Sequence, residues 1–327
     1  MVEHGGKLRA AAQRYGIALN GWIDLSTGIN PHGWPLVDIP AAAWARLPEE
    51  EDDLVAVAKR FYNAPELLPV AGSQAAIQAL PQLRQRSRVA ILSPAYAEHE
   101  HAWRRAGHEV VAVAPAQLSD IVDRVDVVVL INPNNPTGHL FDAEQLLQWR
   151  ATLAARGGWL IVDEAFMDVT PTQSIGAYTG ESGLIVLRSL GKFFGLAGAR
   201  VGFVLACAEL LDQMQALLGP WTVAGPSRYL AAAALADEGW HAEMRHLLPQ
   251  QSARLAALLT RHYLTPTGGT ALFQSVVIDG ADSRHQQLAR QGVFTRLFSD
   301  APRLRFGLPG DESQWQRLDA ALAKMER

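Results

Sequence analysis

Apolar residues through the middle of the chain fall in short, nearly unbroken runs. The runs Arg88–Leu92, Glu109–Val113, Asp126–Ile131, Trp159–Val162 and Leu184–Leu187 predict strands covered on both faces. Between them, Ala97–Ala106 and Asp142–Arg156 place apolar residues at helical spacing. Gly157-Gly158 then closes the second helix in the way glycine ends helices. Strand and helix in alternation predict an α/β unit around a mostly parallel sheet.

The pattern changes after about Gly219. Helical spacing runs over Trp240–His262, with a break expected at Pro249. Strands are expected at Ala271–Ile278, Val293–Thr295 and Arg303–Phe306, and a last helix at Glu312–Met325. These describe a smaller α+β unit. The expected division is an N-terminal arm over 1–45, a large domain over 46–219 and a small C-terminal domain over 220–327. No repeat, low-complexity tract or flexible linker interrupts the chain, so the two domains are expected to pack closely around a cleft.

Composition narrows the classes. A length of 327 residues supports a large core. The net charge of −4 gives no basic field for nucleic acid or an anionic membrane. Cys207 is the only cysteine, which excludes an internal disulfide and reads as a small buried hydrophobe. Charges interrupt the N-terminal residues, and no apolar run suffices for a signal or a membrane span, so a cytoplasmic location is expected. No His, Asp and Glu spacing suggests a metal site. His99, His101 and His241 lie on helical stretches and read as ordinary surface or core residues.

Five segments carry candidate chemistry. Ser189-Leu190-Gly191-Lys192 follows a buried strand, at the carboxyl end where open α/β sheets bind ligands. Phe193, Phe194 and Leu196 make apolar surroundings that favour a neutral, nucleophilic amine on Lys192. Ser189 and Arg200 can hold phosphate, Arg200 through a two-pronged fork. Asp163 ends the strand WLIV, where a carboxylate can keep a heterocyclic nitrogen protonated. Asn132-Pro133-Asn134-Asn135-Pro136-Thr137-Gly138 makes a rigid loop that presents the Asn135 amide. Ala71-Gly72-Ser73-Gln74 enters a helix and offers backbone N–H groups and the Ser73 hydroxyl to an anion. Tyr96, after Ser93-Pro94, can stack on a planar ring.

In this order and spacing the segments resemble the fold-type I pyridoxal-phosphate enzymes, the aspartate aminotransferase superfamily, over nearly the whole chain. The resemblance implies a large domain with a mostly parallel seven-stranded sheet flanked by helices, plus a smaller α+β domain. It implies pyridoxal 5′-phosphate held covalently on Lys192. Gly72, Ser73, Gln74, Ser189 and Arg200 would surround its phosphate, and Tyr96 would stack on its ring. Asn135 would meet the ring 3′-oxygen and Asp163 the ring nitrogen, with Lys192, Asp163 and Tyr96 as catalytic residues. It also implies a homodimer.

Within the superfamily the chain is most similar to the branch shared by phosphothreonine decarboxylases and histidinol-phosphate aminotransferases. Glu3-His4-Gly5-Gly6-Lys7, Ser26–Gly33 and Phe166, which stands where aminotransferases carry tyrosine, favour the decarboxylases of cobalamin biosynthesis. That similarity implies loss of CO₂ from L-threonine O-3-phosphate, with His4, Gly5, Asn30, Asn135, Arg296 and Arg305 on the substrate and Lys192 returning a proton to Cα. Arg305 would take either the phosphate or the carboxylate. The alternative is transamination of a histidinol-phosphate-like amine, which uses the same cofactor residues. A cofactor-binding regulator fits less well, because no basic DNA-binding module precedes the α/β region. Leu47-Pro48 departs from the Tyr-Pro of relatives, so Leu47 has no hydroxyl for a partner subunit's cofactor. The segment between Arg296 and Arg305 is also short.

Overall fold

The computed structural model describes residues 5–298 and 301–325. A helix at Leu8–Tyr15 and a two-residue strand, β1 (Ile23–Asp24), open the chain. The central stretch supplies β2 (Leu67–Val70), β3 (Arg88–Leu92), β4 (Glu109–Val113), β5 (Val127–Ile131), β6 (Trp159–Asp163), β7 (Leu184–Ser189) and β8 (Gly202–Leu205). These seven make one sheet in the order β2-β8-β7-β6-β5-β3-β4. All pairs from β7 to β4 are parallel, and β8 runs antiparallel to both of its neighbours. The α/β reading of the sequence is thus correct, and the seven strands that the resemblance implies are present.

All five residues of β5 are buried, as are Leu160–Asp163 of β6 and Leu184–Arg188 of β7. Val127, Val129, Ile161, Ile185 and Leu187 meet Ala102 and Trp103 of the helix Glu98–Arg105 in one apolar cluster. Both faces are covered, which is why these strands read as continuous apolar runs.

β2 and β8 lacked a clear signal. β2 has only four residues and contains Pro69, which is tolerated because β2 is an edge strand. The helix expected to break at Pro249 instead runs unbroken over Glu238–Arg261. Met244, Leu248, Leu255 and Leu259 form a buried stripe on both sides of the proline. Their packing outweighs the one hydrogen bond that the missing N–H forfeits.

The described residues form two compact units. One comprises Trp34–Asn135 and His139–Ala242, and holds the seven-stranded sheet. The other comprises the residues up to Gly33, Pro136–Gly138 and those from Glu243 onward. It contains β9 (Gly268–Thr270), β10 (Phe273–Val277), β11 (Val293–Phe294), β12 (Arg296–Phe298) and β13 (Arg303–Gly307). An antiparallel sheet has the order β12-β13-β10-β9, and β1 pairs in parallel with β11.

Ile161, buried in the centre of β6, should be costly to truncate. Ile161→Ala is expected to lower unfolding free energy by about 2–5 kcal/mol. Urea denaturation checks this as a lower midpoint with an unchanged slope.

Candidate active site

Parallel register brings three polar segments level. Ile131 pairs with Asp163, and Asp163 with Leu187, so β5, β6 and β7 end side by side. The loop 132–135, Asp163 and the run Ser189–Lys192 leave these ends together. Asp163 is buried, with two partners on its carboxylate. His99 Nε2 lies 3.0 Å from Oδ2, and the Ala165 N–H donates to Oδ1 at 3.0 Å. His99 is therefore no ordinary helical histidine, as its sequence position suggested. It is buried against the central carboxylate, and the helix Glu98–Arg105 delivers it there. No local signal marks it, because the contact joins residues 64 positions apart.

The Lys192 amine lies 5.6 Å from the centre of the Phe166 ring, which is buried beside it. Phe193 and Phe194 are fully buried and pack against Trp240 and His241. They anchor the lysine loop in the core.

Val70, Ser73 and Ser189 lie close around Gly202. It pairs with Ser189 on one side and Val70 on the other, and a side chain there would reach within 2.5 Å of the Ser73 nitrogen. Gly72 has φ +76°, and a Cβ on it would lie 2.6 Å from Arg200 Nη2. Arg200 itself adopts φ 54° and donates to the Ala197 carbonyl at 3.1 Å. Gly202 thus lets the Ser73 nitrogen lie close to the strand that carries Ser189, and Gly72 lets the Arg200 guanidinium lie against the same turn. That donor set suits a phosphate dianion.

Tyr96 and Gln74 are joined. The Tyr96 hydroxyl donates to Gln74 Oε1 at 3.3 Å, and Gln74 Nε2 donates to Glu98 Oε2 at 2.9 Å. Asn135 stands on a loop held by its neighbours. Asn132 is buried and exchanges two bonds with the Phe141 backbone, while Asn134 Nδ2 donates to the Pro94 carbonyl at 2.9 Å. A phosphate cradle, a buried carboxylate, a half-buried lysine and a tethered tyrosine in one unit fit pyridoxal phosphate.

The remaining candidates belong to the second unit. Arg305 on β13 faces Arg296 on β12 across a strand pair. Its Nη2 donates to the carbonyls of Ser26 and Thr27 at 2.8 and 2.9 Å. Burial pushes the Arg305 pKa down to about 9; Arg296 adds to the fall and Asp24 opposes it. Asn30 is buried, and its Oδ1 accepts from the His32 N–H at 2.9 Å. Gly5 abuts Ser26, whose hydroxyl accepts from the Gly6 N–H at 2.8 Å. His4 lies outside the described residues.

A family model described as aminotransferase class I and II matches residues 22–322. A threonine-phosphate decarboxylase from Pseudomonas aeruginosa is 54% identical to the chain over 322 residues, covering 98% of this chain and 97% of that one. Another from Sinorhizobium sp. is 40% identical over 332 residues, covering 99% and 98%. The solved structure of histidinol-phosphate aminotransferase from Clostridium acetobutylicum superposes with a TM-score of 0.79 at 22% identity. It covers 91% of this chain and 97% of that one, and bears on the fold alone.

Gly72→Ala would set a methyl group against Arg200 in a backbone conformation that favours glycine. It should weaken pyridoxal-phosphate binding about tenfold or more. Absorbance titration measures the loss, and far-UV circular dichroism should be unchanged.

Proposed function

Because the chain belongs to the class I and II aminotransferase family, we propose that it decarboxylates L-threonine O-3-phosphate to (R)-1-amino-2-propanol O-2-phosphate, using pyridoxal 5′-phosphate carried on Lys192. The observation that carries this reading is the 54% identity to a threonine-phosphate decarboxylase along 98% of the chain. The product would serve cobalamin biosynthesis.

When bound, pyridoxal phosphate supplies a sink for the electron pair left on Cα as CO₂ departs. The residues divide the remaining work. Ser73, Ser189 and Arg200 would hold the cofactor phosphate, with Gly72 and Gln74 shaping the cradle. Asp163 would hold a proton at the ring nitrogen, and His99 would orient the Asp163 carboxylate. Asn135 would donate to the ring 3′-oxygen, and Tyr96 would pack against the ring. Lys192 would carry the cofactor on its amine and would return a proton to the substrate Cα.

Substrate groups fall to Gly5, Asn30, Arg296, Arg305 and Asn135, with His4 in the same role. We assign the two arginines to the phosphate. Two guanidinium groups match a dianion, and an anion beside Arg305 favours its charged form. A carboxylate gripped tightly in the ground state would resist leaving as CO₂. The choice between losing CO₂ and losing the Cα proton then rests on how the substrate is turned, which its phosphate anchors.

The working form is a homodimer in the cytoplasm. Leu36, Trp44 and Leu47 expose 77%, 69% and 64% of their surface on one segment, as a face covered by a second copy would. No helix among the described residues is long and apolar enough to cross a membrane.

Purified protein loaded with pyridoxal phosphate should release CO₂ from O-phospho-L-threonine. Glutamate formation from histidinol phosphate and 2-oxoglutarate, without CO₂ from the first substrate, would overturn the assignment. Lys192→Ala should remove the visible absorbance band and turnover while the far-UV spectrum is retained. Survival of both would move the cofactor to Lys7, Lys59 or Lys324.

A further inference from the structure

Next to the reactive strand ends lies a second charged group that no step above uses. Glu164, Asp168 and Arg188 are each at most 2% exposed. One Arg188 nitrogen bonds Glu164, and another bonds Asp168. Ser174 Oγ donates to Glu164 Oε2 at 2.5 Å and lies 3.2 Å from Arg188 Nη1, while the Ile175 N–H donates to Glu164 Oε1 at 3.0 Å. The guanidinium carbon sits 4.6 Å from the centre of the Tyr62 ring.

Strand parity separates this cluster from the candidate site. Asp163 pairs with Leu187, so Asp163, Leu187 and Ser189 point to one face of the sheet. Glu164 and Arg188 point to the other. The cluster thus stands back to back with the site, one residue from Asp163 and one from Ser189. It joins the end of β6 to the end of β7, where the Glu164 N–H also donates to the Leu187 carbonyl at 2.9 Å. It also folds the segment 164–175 around Arg188, and that segment carries Phe166 to the lysine amine.

Burying three charges is a poor way to gain stability, since apolar residues of similar size commonly do as well or better. A planar fork held by two carboxylates on two different segments does fix relative position. We propose that Arg188 is a positioning residue, which through Glu164 and Asp168 holds Asp163, Phe166 and Lys192 in the mutual arrangement that the cofactor requires. This inference rests on the pyridoxal-phosphate reading above.

Arg188→Lys keeps one charge and loses the fork, and Glu164→Gln weakens one arm. Both variants should be loaded with pyridoxal phosphate and compared with wild type. The pH midpoint of the visible band should move by about half a unit or more, and the visible circular dichroism should weaken. With O-phospho-L-threonine, kcat per loaded site should fall about tenfold while KM stays within about twofold, because the substrate residues are untouched. Glu164→Gln should shift each readout the same way by less.

If Arg188→Lys fails to fold, Glu164→Gln and Ser174→Ala decide on the same measurements. Variants that melt earlier yet keep the wild-type midpoint, visible dichroism and kcat would reduce the cluster to a stability element and end the proposal. A wild-type protein with no visible band would instead overturn the cofactor assignment, and this inference with it.

Discussion

A strand covered on both faces has room for apolar side chains along its length and for polar ones only where it ends. β5, β6 and β7 are such strands, and almost every residue in them is buried. Polar chemistry is therefore displaced to their carboxyl ends, and parallel pairing makes those ends coincide. The level register of Ile131, Asp163 and Leu187 turns three separate stretches of chain into one site.

The same geometry gives the strand ends two unlike sides. On one side the Asp163 carboxylate meets His99 and the Ala165 N–H, while Gly202 brings the Ser73 nitrogen close to the strand that carries Ser189 and Gly72 meets the Arg200 guanidinium. On the other side Arg188 pairs with both Glu164 and Asp168. A buried carboxylate needs partners, and the two sides supply them differently. Asp163 keeps a neutral backbone donor and an imidazole, whereas Glu164 is tied to a guanidinium.

Two buried arginines make a parallel contrast. Burial works against the charge on each. For Arg188 the adjacent Asp168 and Glu164 outweigh it and raise the pKa, so that cation is matched within the fold. For Arg305 the nearest charges include Arg296, and its Nη2 is held by the carbonyls of Ser26 and Thr27. Arg188 serves the protein's own carboxylates.

Much of this protein is legible in its residues taken in order. The apolar runs marked five strands of the large sheet, and Lys192, Asp163, Asn135 and Gly72-Ser73 stood out because each sits where a predicted element begins or ends. Periodicity misjudged Pro249, where the buried stripe from Met244 to Leu259 holds the helix straight through a residue that local propensity would use to stop it. It could not mark His99, whose partner is 64 residues away, nor the joining of Glu164 to Arg188, 24 residues apart. The sequence by itself determined which chemical groups this protein possesses and which elements carry them, because those depend on local spacing. The tertiary structure alone decided which groups meet, because strand order, register and the face to which each side chain points arise only when distant segments pack together.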